Sequence, residues 1–147
     1  MADAFVEFTR WRACKLSRGP FFDTFLRALD EKAPVVVISA RSLNQRDFRA
    51  LLRRAAALAT KRLNGKVQAF CVNNARTRTR FGAHLCTADL KAKILLHFLK
   101  RRPMSWSLGF SDDDPVNLKV MRKALRLVSA RRRVCIYNAR TQRKSVL

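Results

Sequence analysis

The stretch Phe110-Ser111-Asp112-Asp113-Asp114-Pro115-Val116 marks where one element must end and another begin. Three of the chain's 10 acidic residues lie in it. Ser105 to Phe110, just before it, has the pattern of a short strand. After it, Val116, Val120, Ala124, Leu127 and Val128 recur at helical spacing. Pro115 suits the first helical position, because its fixed φ is already helical and its missing N–H would have no intrahelical partner. Asp114 is placed to cap the helix, and Asp112 and Asp113 face its positive dipole end. A strand running straight into a capped helix points to an α/β fold, and this junction divides the chain into two similar halves.

The first half repeats the same logic. Phe22, Phe25, Leu26 and Leu29 form one face of a helix predicted over Phe21–Lys32, which Pro34 ends. Val35-Val36-Val37-Ile38-Ser39 is a continuous β-branched run, as expected of a buried strand. Asn44 caps a long helix with Asp47 in its first turn. Its apolar face is Phe48, Leu51, Leu52, Ala55, Leu58 and Ala59, and Asn64-Gly65 is expected to close it. Lys66 to Val72 is the second strand, giving a β-α-β unit with a right-handed crossover. Asn73-Asn74 breaks that strand, and Arg76, Arg78 and Arg80 follow at every second position. Another helix starts at Thr87 or Asp89, runs through Leu90, Ile94, Leu95 and Phe98, and ends at Lys100-Arg101-Arg102-Pro103. Beyond the acidic junction and its helix, Val134 to Asn138 is the last strand. The expected architecture is a two-layer α/β sandwich with two β-α-β-type halves, helices packed on one small sheet. It spans residues 20–138, between a basic N-terminal arm (1–19) and a short basic C-terminal tail (139–147).

Charge narrows the function. The 147 residues carry 32 Lys+Arg against 10 Asp+Glu, a net charge of +22. Such an imbalance costs stability through self-repulsion, and a polyanion partner offsets that cost. Nucleic acid is the leading candidate and an anionic membrane surface the second. No apolar run approaches the roughly 20 residues that span a bilayer. Cys14, Cys71, Cys86 and Cys135 form no CxxC pair, and His84 and His97 complete no zinc-finger spacing. Cys71 and Cys135 fall in predicted strands, where a small buried thiol is expected. Asp112, Asp113 and Asp114 could hold Mg²⁺ at a strand end, but capping and dipole complementation already account for them. Neither a phosphate-cradling glycine loop nor a nucleophile elbow is present. Catalysis is therefore not expected, and neither a cofactor nor a metal.

The basic residues are clustered. Arg10, Arg12, Lys15 and Arg18 are mixed with Phe5, Phe8 and Trp11 in the N-terminal arm, where Asp3 and Glu7 argue against an organelle transit peptide. The other clusters are Arg76/Arg78/Arg80, Lys100-Arg101-Arg102, Arg131-Arg132-Arg133 and Arg140/Arg143/Lys144. Spread over the domain instead of along one helix, they suit a protein embedded in structured RNA better than a groove reader.

In order and spacing, these motifs resemble the large-subunit ribosomal protein ten family, the stalk-base proteins related to the P-zero proteins. The family's apolar strand, short loop and Arg-rich helix correspond to Val35–Ser39, Arg41-Ser42-Leu43 and Asp47–Arg62. Its strand ending in a basic-Asn-Thr/Ser motif corresponds to Phe70-Cys71-Val72-Asn73-Asn74-Ala75. Its Gly-Pro-Thr, apolar strand and Phe-Ser-x-x-Asp-Pro correspond to Arg102-Pro103-Met104, Trp106–Gly109 and Phe110–Pro115, and Val134–Tyr137 is the closing strand. The resemblance covers roughly residues 20–140. It implies binding to large-subunit rRNA at the base of the lateral stalk, beside ribosomal protein eleven. The chain departs from the family at Asn73, Ala75 and Arg102, and the nine residues Ala139–Leu147 are too short and basic for the long helix that collects stalk dimers. Stalk-dimer binding is therefore not expected.

The expected function is that of a structural, rRNA-binding constituent of the large ribosomal subunit. A short, very basic, divergent member points to a mitochondrial ribosome; a cytoplasmic or nucleolar location is the alternative. Expected RNA contacts are Arg10, Arg12, Lys15, Arg18, Arg41, Asn73, Asn74, Arg76, Arg78, Arg80, Arg101 and Arg102. The competing readings are an assembly factor of the same family and a general DNA- or RNA-binding basic α/β protein.

Overall fold

A computed structural model describes residues 22–103, 105 and 107–147. In chain order the elements are α1 (Phe22–Asp30), β1 (Val35–Ser39), α2 (Gln45–Leu58), β2 (Val67–Cys71), α3 (Ala75–Phe81), α4 (Thr87–Leu99), β3 (Leu108–Asp112), α5 (Pro115–Ser129), β4 (Val134–Asn138) and β5 (Arg143–Val146). The α/β architecture with helices packed against sheet is as expected, with the strands divided between two small sheets.

In the first sheet β1 and β2 run parallel, from Val35 opposite Val67 to Ser39 opposite Cys71, with α2 as the crossover. In the second, β3 and β4 are parallel, Leu108 opposite Val134 and Asp112 opposite Asn138, with α5 as the crossover. The final residues, expected as a tail, form the antiparallel edge strand β5. The Asn138 side chain organises the turn into it by accepting the Arg140 and Thr141 N–H groups at 3.0 and 3.1 Å.

Side-chain alternation along β1 explains the layering. Val35 and Val37 join Phe25 and Leu29 of α1 and Phe48, Leu52 and Ala55 of α2 in one core. Val36 and Ile38 point the other way, towards Phe70, Phe81, Leu90 and Ile94. Leu108, Phe110, Val134 and Ile136 of the second sheet pack against Leu95 and Leu99 of α4 and Leu118, Met121 and Leu125 of α5. Helix α4 is thus shared between the halves, and Leu90 and Ile94 are fully buried along it.

Helix boundaries follow local chemistry. Asn44 caps α2 by accepting the Asp47 N–H at 2.8 Å, and Asp114 caps α5 by accepting the Val116 N–H at 2.8 Å, both as expected. Helix α2 ends at Leu58, short of Asn64-Gly65: Thr60 takes a left-handed conformation and Leu58 is exposed. Gly82 stops α3 at φ 131°, a backbone conformation that favours glycine, and a Cβ there would also displace the tip of the Leu85 side chain, 2.9 Å away.

Candidate nucleic-acid interface

Arg76, Arg78 and Arg80 look like the period-two pattern of a strand, but Asn74 turns the chain into a helix. Its Oδ1 accepts the N–H groups of Arg76 and Thr77 at 3.0 and 3.4 Å. In α3, Arg76 and Arg80 are one turn apart and share a face. Arg78 is turned away: its Nη1 donates to the Ala83 and Leu85 carbonyls at 2.9 and 3.1 Å, and its Nη2 reaches Asn73 Oδ1 at 3.5 Å. Arg78 is a brace for the following loop.

The shared face of α3 looks across a groove at α2. Arg46, Arg49 and Arg53 fall at i, i+3 and i+7 on α2, so they too share a face. The five arginines line a groove of about 840 Å³ whose floor is Ala69 and Phe70 of β2, with Asn44 and Asn74 at its rim. Among the described residues no acidic side chain lines it. The nearby carboxylate of Asp47 is engaged by Asn44 Nδ2 at 2.7 Å. Arg46, Arg53, Arg76 and Arg80 are exposed, whereas Arg49 donates to the Val67 carbonyl and ties the groove to β2. The Arg80 guanidinium lies 5.0 Å from the Phe81 ring centroid, and its Nη2 is 3.4 Å from His97 Nε2. Phe81 in turn meets Phe70 edge-on at 5.6 Å. The groove is therefore cationic, open and backed by buried aromatics, which suits a phosphate backbone.

Asn73 and Asn74 shape this edge of the molecule. Asn73 Nδ2 donates to the Ala40 carbonyl and Asn74 Nδ2 to the Ser42 carbonyl at 3.3 Å, fastening the β1–α2 loop to the β2–α3 turn. Arg41 sits in that loop, where burial lowers its pKa and the neighbouring Cys71 opposes the shift. The Cys71 thiol is itself pushed up to about 11 by burial, against the influence of Arg41, so it is protonated at neutral pH. Arg101 and Arg102 follow α4, and Arg102 lines a separate cavity between the two sheets. Arg10, Arg12, Lys15 and Arg18 lie outside the described residues. Arg46, Arg49 and Arg53 were absent from the expected contacts, although their one-face spacing is visible in the sequence.

The acidic junction has a different chemistry from the one expected. Asp112 is the last residue of β3, buried, and does not stand free at the dipole end of α5. Its Oδ2 pairs with Lys91 Nζ of α4 at 2.7 Å, with both side chains almost wholly buried. Asn117 Nδ2 donates to both carboxylate oxygens at 3.1 and 3.2 Å, and the Asp114 N–H donates to Oδ1 at 3.0 Å. Burial raises the Asp112 pKa, but the Lys91 charge and these hydrogen bonds outweigh it and leave it below the ordinary value of 3.8. Among the described residues no group of three or more His, Cys, Asp or Glu is placed to hold a metal ion, and no helix is long and apolar enough to cross a membrane.

Compared with protein-family models, with curated proteins and with solved structures, the chain matches none.

Proposed function

We propose that this chain is an rRNA-binding structural component of the large ribosomal subunit, seated at the base of the lateral stalk of a mitochondrial ribosome. The observation that carries the RNA-binding part is the groove between α2 and α3, into which Arg46, Arg49, Arg53, Arg76 and Arg80 converge with no acidic residue among its described lining. The net charge of +22 supports a polyanionic partner. The order of motifs along the chain supports the ribosomal assignment, with ribosomal protein eleven as the expected neighbour. Nothing in this role calls for catalysis or a cofactor. Arginine suits it because its planar fork grips phosphate in a bidentate manner and stacks on unpaired bases.

The test is a matched-salt comparison of binding to a stalk-base rRNA fragment and to duplex DNA of the same length. Preference for the rRNA fragment is the expected result. Equal affinity would reduce the protein to a general nucleic-acid binder, because counterion release alone is indifferent to sequence and fold. Recovery of the chain from translating mitochondrial ribosomes separates a resident protein from an assembly factor.

A further inference from the structure

We propose that the groove between α2 and α3 takes an unpaired strand of RNA with one base stacked on the Arg80 guanidinium, and that Arg80 selects unpaired over double-helical RNA. The inference rests on the RNA-binding reading of this groove and names the conformation of RNA that fits it. The arginines that line the groove are of two kinds. Arg46 and Arg53 lie about 10 Å apart along α2, and Arg76 lies about 6 Å from Arg80 along α3, at ~1.5 Å per residue. All four are exposed. Among the described residues no aromatic ring lies beneath Arg46, Arg53 or Arg76, and their long side chains can follow a phosphate backbone.

Arg80 is held in place. Its guanidinium lies over the Phe81 ring at 5.0 Å, and its Nη2 is 3.4 Å from His97 Nε2. Phe81 is itself fixed, edge-on to Phe70 at 5.6 Å and to His97 at 5.4 Å. An exposed, planar guanidinium backed on one side by a buried ring offers its other side to a flat partner. Because the group is already positioned, little freedom is lost when that partner arrives. An RNA base is such a partner only when it is unpaired, since a double helix covers its base faces and occupies their Watson–Crick edges. The groove is also concave: its floor, Ala69 and Phe70, is buried beneath the two rows of side chains. A rigid duplex meets the rims and leaves the Arg80 platform, the Gln45 amide and the Thr77 hydroxyl unused. A single strand can lay its phosphates along Arg46, Arg53 and Arg76, stack a base on Arg80 and present base edges to Gln45 and Thr77.

Fluorescence anisotropy of the full chain with a labelled, unstructured oligoribonucleotide, and with the same strand annealed to its complement at matched salt, tests this. Counterion release alone favours the duplex, which carries more phosphate per unit length. The expected result is the reverse, tighter binding of the unpaired strand. Arg80→Lys keeps the charge and loses the planar face. It should weaken binding of the unpaired strand roughly 10-fold, with the salt slope and the duplex affinity unchanged. Arg76→Lys, one turn away, should leave the preference for unpaired RNA intact. Duplex binding as tight as that of the single strand, an equal loss for both RNAs in Arg80→Lys, or loss of the preference in Arg76→Lys would each overturn the proposal while leaving RNA binding in place. Binding of neither RNA would overturn the RNA-binding reading itself, and this proposal with it.

Discussion

Lys91 is the residue on which the second half turns. It lies on the apolar stripe of α4 with Ile94, Leu95 and Phe98 at i+3, i+4 and i+7, so its amine enters the interior whichever way the helix packs. There it meets Asp112. Lys91→Met should therefore cost about 3–5 kcal/mol, because it leaves a buried carboxylate without its cation; a denaturant titration measures this. Replacing both partners by apolar residues should recover only part of the loss, since Asn117 and the Asp114 N–H would then lack their acceptor. The pair also sets an acid limit. The folded Asp112 pKa is depressed, so below the ordinary value of 3.8 the unfolded chain binds a proton that the native chain still refuses. The stabilisation is complete above that value and is lost as pH falls through the folded pKa. Asp112→Asn should lower stability at neutral pH and flatten its dependence on pH below about 4, as read from melts across an acid series.

Element by element, the strands and their helices were largely readable: β4 matches its expected span, β1 its β-branched run, and α5 its Asp-Pro start. Asp114→Ala should cost about 0.5–2 kcal/mol as a lost N-cap, measured as a shift in the denaturation midpoint. The acidic residues beside it show what could not be read. Asp112 resembles a dipole partner in sequence, and only the long-range meeting of α4 with β3 makes it half of a buried pair. The arginines of α3 show the opposite case. Alternation at 76, 78 and 80 fits a strand, yet Asn74 at the preceding turn carries the helix-start signal that decides the matter. With that helix in place the three arginines divide in function. Arg78→Ala should reduce stability by about 1 kcal/mol through its lost loop hydrogen bonds, with little effect on RNA affinity, as thermal melts and RNA titrations on the same variant would report.

Across the whole molecule, the excess of cations acquires a direction. The basic residues are spread over helices, loops and ends, but the groove gathers five that the linear sequence keeps on two separate helices. Alanine at Arg46, Arg76 and Arg80 together should weaken rRNA binding and flatten its log–log salt dependence, each lost phosphate contact changing the slope by roughly 0.7–0.9. An unchanged slope would place the RNA surface elsewhere. The groove escaped a linear reading because it needs the α2 and α3 faces to be opposed, which β2 and the Asn73 and Asn74 tethers bring about.

The division of the sheet bears on how the chain acquires its structure as it is made. Val35 finds its partner at Val67, and Leu108 finds its partner at Val134. No described strand pair crosses from one half to the other. Each ladder closes a loop within its own half, which keeps the entropic cost of closure and the contact order low for a parallel sheet. The amino-terminal ladder has all its strand partners once residue 72, whose N–H donates to the Ser39 carbonyl, has left the synthesising ribosome. Helix α4, emerging after α3, then offers the surface on which the second half is assembled.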